Sequence, residues 1–505
     1  MRLNRSLMLF PLLLLAAVVV VSDVAVAQEA PRKAKIEAEE SWQVIEMLGQ
    51  RIGYGHTVVK PIEEDGQTVI RTDSDVHIAM KRFGQKLVMK VSIGTRETVA
   101  GDVLSFEYVT QNPPAAPSRV EGKIEGSKLT LTTTVDGKAT VKTRDWNKEW
   151  KSPTYQDRIL RENPLKSGES RSFDVFLPEF AKSAKMTLKG GATETVKLIG
   201  DAESELQKVT ALNSLLPGIP MQLWLDATGR SQKTSTSLLG TEMVTFTVPE
   251  AEALKELGEE ELDVAVGTLV KSPEIPNAYT VAEIVFKLDL PSAEAVELLP
   301  NSLNQTKKAV SEAAVELTVR HEQLPATAEI QPTDAEFTAP NKFLQSDDPE
   351  VVKHATAAVG DAKDPAEQCR LMERYVSETL KNKNFSTAMA SAGEVARRLE
   401  GDCTEHAVLL AAMLRAKGIP ARVAVGLVYV GNKNPSFGGH MWTEAFLDGK
   451  WHALDGTLGR GGTTAVHLKF ADSSLAEEGL SQTTLFVPLV TILGKMEVEV
   501  LSVKE

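Results

Sequence analysis

Cys403, His440 and Asp455 are the residues of this chain whose types and order could do covalent chemistry: a thiol, an imidazole and a carboxylate. Cys403 follows Gly401-Asp402 and opens a run, Thr404 to Ala416, that is apolar nearly all the way round and reads as a buried helix. Asp402 has the chemistry of an N-cap, and Glu405 three residues on completes a capping-box spacing, which puts Cys403 in the first helical turn. Gly418 and Pro420 end the helix. A thiol at that place feels the positive end of the helix dipole, which favours a thiolate and lowers the pKa from its free value of roughly 8.5.

The elements that must bring the other two residues to the thiol follow directly. Ala421 to Val430, rich in β-branched residues, reads as a strand, and a loop with Gly431, Pro435 and Gly438 delivers the chain to His440. From His440 the pattern fits a hairpin with its turn at Asp448-Gly449 and a return strand from Lys450 to Asp455. A two-residue turn pairs Leu447 with Lys450 and therefore Trp442 with Asp455. His440 lies two residues from Trp442 on the same face, so Asp455 is its diagonal neighbour, roughly 7–8 Å away between backbones and closer between side-chain tips. A nucleophile, a base and a group to orient the base are the parts of covalent acyl transfer.

Four separated motifs carry a resemblance to a known family: Gly401-Asp402-Cys403-Thr404-Glu405-His406-Ala407, Gly418-Ile419-Pro420-Ala421-Arg422, Gly439-His440-Met441-Trp442-Thr443-Glu444 and Trp451-His452-Ala453-Leu454-Asp455. Together, over roughly residues 345–472, they resemble the core of the transglutaminase-like superfamily. The resemblance implies a papain-like α+β core in which Cys403 is the nucleophile, His440 the general base and Asp455 its orienter. No Trp occurs between Trp224 and Trp442. The upstream indole that helps form the oxyanion hole in animal transglutaminases therefore has no counterpart, and the second oxyanion donor is unassigned.

Trp442, Asp402 and Glu405 flank the three residues and are candidates for the walls of a substrate cleft, with Glu405 serving as the helix cap and Trp442 equally suited to the core. Cys403 and His406 also have a spacing seen among metal ligands, and His440, His452 and His467 are near in sequence, but a metal site needs three or four of these on one centre. His406 lies almost a full helical turn from Cys403, and His452, pairing with Ala445, points away from His440. No metal and no cofactor is expected.

Around this core, Arg2 and Arg5 precede an apolar run from Leu7 to Val21, and Ala25-Val26-Ala27 offers a small-residue cleavage site. Residues 1–27 read as a signal peptide, with a secreted or periplasmic protein after cleavage near Ala27 and no stable membrane span. The formal net charge of -13 argues against nucleic acid, which needs a clustered positive surface. The two cysteines, Cys369 and Cys403, exclude a disulfide framework, and Cys369 reads as a buried free thiol on a helix opened by Asp364-Pro365.

Residues 28–255 read as a β-rich domain of short alternating runs, 256–344 as a small β domain linking the two larger parts, and 345–505 as the transglutaminase-like domain with a C-terminal strand extension. The fold class is α+β: helices on an antiparallel sheet, preceded by β-rich domains. The function expected is thiol-dependent acyl transfer or hydrolysis at an amide or peptide bond, by a peptidase, amidase or cross-linking enzyme acting on a protein or peptide partner of the cell envelope. The alternative is a non-catalytic envelope binding or assembly module that keeps the fold.

Overall fold

The computed structural model describes residues 38–238, 240–256, 262–263, 269–386, 389–431 and 434–505. The expected signal peptide, residues 1–27, lies outside the described residues. No helix among those described is long and apolar enough to cross a membrane.

Fourteen strands, from β1 (Glu39–Met47) to β14 (Thr241–Val248), form one antiparallel sheet. Each pairs with its sequence neighbour, except that β1 joins β14 and leaves β8 (Lys138–Asp145) and β9 (Ser170–Leu177) as the edges. The sheet curls on itself: Phe106 in the interior and Phe176 on β9 have ring centroids 5.1 Å apart, and Trp146 and Trp150 pack on Phe176. Alternating buried and half-exposed residues along β3 (Gln67–Arg82) and β4 (Gln85–Thr98) show why this sequence is strand, with one face on the core. The helix α1 (Tyr155–Glu162) interrupts the β region between the two edges.

The sheet at the centre of the C-terminal part has the order β15 (Val270–Lys271), β20 (Ser436–Leu447), β19 (Ala421–Val430), β22 (His467–Ser473), with β21 (Lys450–Leu454) paired to β20. The hairpin register is Leu447↔Lys450 through Thr443↔Leu454, and Asp448 and Gly449 both have positive φ, as a tight two-residue turn requires. A third sheet runs β17 (Gln305–Ser311), β18 (Ala314–Arg320), β16 (Glu283–Asp289), β23 (Glu497–Lys504). The last strand of the chain thus completes the small central sheet, while β15, from before that sheet, is an edge of the C-terminal one. Long-range pairing of this kind is invisible in local pattern.

Helices α2 (Glu250–Ala253) and α3 (Ala293–Leu298) are short; α4 (Pro349–Val359), α5 (Pro365–Thr379), α6 (Ala392–Arg398) and α7 (Cys403–Ala416) pack together, with α7 against β19 and β20. Asp348 and Asp364 cap α4 and α5 with proline at the first helical positions, and α6 and α7 open with complete capping boxes, Ser391/Glu394 and Asp402/Glu405. From Ala407 to Leu414 every residue of α7 is at most 1 % exposed. That burial, not the helix's own propensity, holds it; truncating one of its leucines to Ala would cost about 2–5 kcal/mol. A further helix, α8 (Ser481–Ile492), packs on β22. It has no expectation in sequence, because its apolar run carries no N-cap side chain and contains Pro488.

Only two residues, Glu400 and Gly401, separate the left-handed C-cap Leu399 of α6 from the N-cap Asp402 of α7. Gly401 there has φ +149, and a Cβ on it would lie 2.3 Å from Cβ of Glu405, in the capping box beside Cys403. Gly401→Ala should therefore lose about 1–3 kcal/mol or more through overpacking and a glycine-only backbone. Gly418→Ala, at φ +78 with open space around the new Cβ, should cost less. Thermal denaturation of the two variants checks the order; equal melting temperatures would contradict the clash.

Candidate active site

Cys403 sits at the first position of α7, where Asp402 accepts hydrogen bonds from the Thr404 N–H and hydroxyl, each at 2.9 Å. Glu405 reaches back to accept the Asp402 N–H at 2.9 Å and, with its other oxygen, the Ala390 N–H at 3.0 Å. The thiol rests against β20, where the backbone N–H of Met441 bonds it. Its neighbour in sequence, His440, donates from or accepts at Nε2 with Asp455 Oδ2 at 2.8 Å, and His440 Nδ1 is buried with no hydrogen-bond partner among the described residues. Cys403 is 2 % exposed, and His440 and Asp455 are fully buried.

Four donors meet the Asp455 carboxylate. Oδ2 takes His440 Nε2 and His467 Nε2 (3.1 Å), and Oδ1 takes the N–H groups of Thr457 (2.8 Å) and Leu458 (3.2 Å). The tautomer of His467 is set by its surroundings: the Thr464 N–H can only donate, and it donates to His467 Nδ1 at 3.1 Å, so the proton of a neutral His467 is on Nε2. Burial alone would raise the carboxyl, but the two imidazoles hold it well below the usual carboxylate range. An ionised Asp455 in turn fixes the proton of neutral His440 on Nε2 and leaves the Nδ1 lone pair bare.

The thiol itself differs from the sequence expectation. Burial pushes Cys403 well above an ordinary thiol, with the Asp402 carboxylate adding to the rise and the Met441 N–H and Arg82 opposing it. A helix dipole is worth about 0.3–2 kcal/mol, whereas burying an ion costs several kcal/mol. Desolvation wins in this closed state, and the resting group is a thiol.

Of the cleft candidates, Trp442 is 2 % exposed and packs on Ala424 and Ala453, while Asp402 and Glu405 are occupied in the capping box. A Cβ on Gly426 would meet Leu468 O at 1.8 Å and the Trp442 ring at 2.8 Å, so glycine at that point of β19 makes room for the indole. His406 lies one turn from Cys403, its Nδ1–H donating to Asp402 O at 2.5 Å and its Nε2 accepting from Lys383 Nζ at 2.9 Å. Burial, helped by the Lys383 charge, pushes it down to about 3, so it is a neutral relay of structure. His452 pairs with Glu322 at 3.1 Å, apart from the three.

His440, Asp455 and His467 have donor atoms within 4.8 Å of one another, the spacing of a three-ligand metal site. Those atoms are joined by the two hydrogen bonds to Asp455 Oδ2, and every one is buried. Two residues of the site have no place in the sequence expectation. The sequence places His467 only among possible metal ligands; the signal that could have found its role here is a third histidine opening a strand beside β19, the strand that His440 also flanks. Glu373 of α5 accepts the Asp455 N–H at 2.8 Å and the Gly462 N–H at 3.2 Å and is pushed up to about 8 by burial; a lone Glu on a buried helical face was the only clue to it.

Residues 353–456 match the sequence profile of the transglutaminase-like superfamily. No curated protein matches the chain. Among solved structures, the chain is similar to a Cytophaga hutchinsonii protein described as a candidate cysteine protease (16 % identity, 44 % of this chain and 87 % of that one, TM-score 0.29). It is also similar to a β-barrel-like protein of a domain of unknown function from Brucella abortus (14 %, 41 % and 94 %, 0.31) and to the periplasmic domain of TgpA from Pseudomonas aeruginosa (16 %, 36 % and 91 %, 0.20). The profile match runs from within α4 to just past the β20–β21 hairpin and takes in Cys403, His440 and Asp455, so it is the C-terminal α+β core of this chain that matches the transglutaminase-like superfamily.

Proposed function

We propose that this protein is an exported enzyme of acyl transfer or hydrolysis at an amide or peptide bond, working through Cys403, His440 and Asp455. The observation that carries the reading is the hydrogen bond of His440 Nε2 to a fourfold-bonded, ionised Asp455, which leaves a buried, unpartnered Nδ1 next in the chain to the residue whose N–H bonds the thiol. In the reaction the thiol proton passes to Nδ1 as Sγ attacks the carbonyl carbon. The imidazolium then gives that proton to the leaving amine, and a thioester remains on Cys403. Water or an amine attacks the thioester, His440 takes its proton, and the thiol is regenerated. The Cys403 N–H, at a helical position without an intrahelical acceptor, is a donor for the oxyanion.

A thiolate that forms only when the proton can move to His440 suits a closed resting site, because the ion pair appears together with the substrate. The choice of acceptor lies in cleft shape and water access. The second reading, a non-catalytic envelope module, draws on one observation: all three residues are buried, with only Cys403 exposed at all, at 2 %.

A thiol-directed amide or peptide probe should label the wild-type protein at Cys403 and not the Cys403→Ala variant. Absence of labelling in both favours the non-catalytic module. Asp455→Asn should lower turnover per folded molecule by about 10³–10⁴, since an amide cannot hold the same imidazole tautomer. It should also lower the melting temperature, because the amide NH₂ would face donors at either end of the group. Unchanged turnover per folded molecule would remove Asp455 from the assignment.

Glu373 gives a pH dependence whose sign is fixed. Its folded pKa, about 8, lies above the unfolded value, so its contribution to stability is fully present below about pH 4.5 and is lost as pH rises through 8. Glu373→Gln keeps an acceptor for the Asp455 and Gly462 N–H groups and removes the titration. Denaturation midpoints from pH 5 to 9 should fall less steeply in this variant than in wild type; parallel curves would mean Glu373 is ionised throughout.

A further inference from the structure

Asp402, the N-cap beside the thiol, forms a buried ion pair with Arg82, 320 positions earlier in the chain; the two side chains are 1 % and 0 % exposed. Arg82 ends β3, and the tip it begins, Arg82 to Gln85, is docked on the segment that leads to α6 and α7. Gln85 accepts the Phe385 N–H at 2.7 Å and donates to Lys383 O at 3.1 Å. The Phe83 ring lies 5.0 Å from that of Phe385, and the Arg82 guanidinium lies 5.6 Å from the same ring. On the far side, the N–H groups of Phe83 and Gly84 donate to the Asp263 carboxylate at 3.2 and 2.8 Å. The guanidinium is thus held by its neighbours on both strands of the hairpin.

A neutral Asn or Ser would cap α7 as well as Asp402 does. An ion pair at full burial is a poor source of stability, since desolvating both charges offsets most of their attraction. What the pair changes is the field at the next residue. The charged groups that act on Cys403 are Asp402 at the N-cap of α7, Glu405 on α7, Arg82 on β3 and Lys383 before α6, and His440 on β20 adjoins Met441, whose N–H bonds the thiol. Burial and the neighbouring Asp402 charge hold Glu405 up, and Asp402, paired with Arg82, is the carboxylate that most opposes a negative sulfur.

We propose that the N-terminal sheet completes the active site: Arg82 is a positioning residue that cancels the charge of Asp402 and holds the head of α7, so that Cys403 can carry negative charge when it attacks. The inference rests on the proposed function for its catalytic meaning. Its physical content, the reactivity of the thiol, is independent of any substrate.

The experiment measures iodoacetamide labelling of Cys403, located by peptide mass, against pH in the full chain, with the folded fraction of each variant taken from its thermal denaturation. Arg82→Gln leaves Asp402 unopposed and should slow labelling at pH 7 about tenfold or more. Asp402→Asn keeps an acceptor for Thr404, leaves the guanidinium unopposed and should speed labelling. The double variant should return to within about threefold of wild type, and Arg82→Lys, which keeps the charge, should stay closer to wild type than Arg82→Gln. Opposite shifts of the two single variants cannot come from a merely structural contact, which would move both the same way. If Arg82→Gln does not fold, the acceleration in Asp402→Asn decides alone. Faster labelling in Arg82→Gln would make the hairpin a plug over the thiol and overturn the proposal, as would an unshifted profile in Asp402→Asn. Labelling that shifts as expected in a protein that turns over no amide would leave the charge relation standing and remove the enzymatic reading instead.

Discussion

The site hangs on one buried carboxylate that its hydrogen-bond donors hold ionised. Asp455 receives two backbone N–H groups and the His467 Nε2–H, and in its ionised form the His440 Nε2–H as well. Isolated, such a charge would cost several kcal/mol to bury, and its partners offset that cost only while each holds its place. The demand passes outward. His467 must keep its acceptor bond from Thr464, the turn after β21 must present Thr457 and Leu458, and Glu373 must hold the Asp455 backbone. Much of the polar architecture beneath the sheet follows from keeping that one charge in place.

The same low-polarity surroundings explain why the thiol and the carboxylate sit at opposite ends of their ranges. Both are buried; only Asp455 has four donors. Cys403 has the Met441 N–H, and an anion, Asp402, next to it. Burial therefore keeps the sulfur protonated at rest. The ion pairs of Glu444 with Lys469 and Arg422 tie β20, the strand that carries His440, to β22 and β19.

The N-terminal sheet reaches Asp402, next to Cys403, through the tip of the β3–β4 hairpin, and it also touches α6: the Ala116 N–H donates to Glu394, and Asp136 pairs with Arg397. The helices that present Cys403 are thus packed between their own sheet and a second one.

What the amino-acid sequence determined by itself is what depends on residues close in the chain. The capping boxes at Ser391 and Asp402 need partners three residues apart, and the two-residue turn at Asp448-Gly449 sets the register that carries Asp455 to His440 fifteen positions away. Helix α7 was legible because apolar residues on every side have one stable outcome, burial. The tertiary structure alone decided the rest. His467 joins the site by the pairing of β19 with β22, Glu373 by the packing of α5 beneath the hairpin, and Arg82 across 320 residues. The state of the Cys403 thiol changed for the same reason: a helix dipole can be read from a first turn, but desolvation is set by everything that packs over it, and here it is the larger effect.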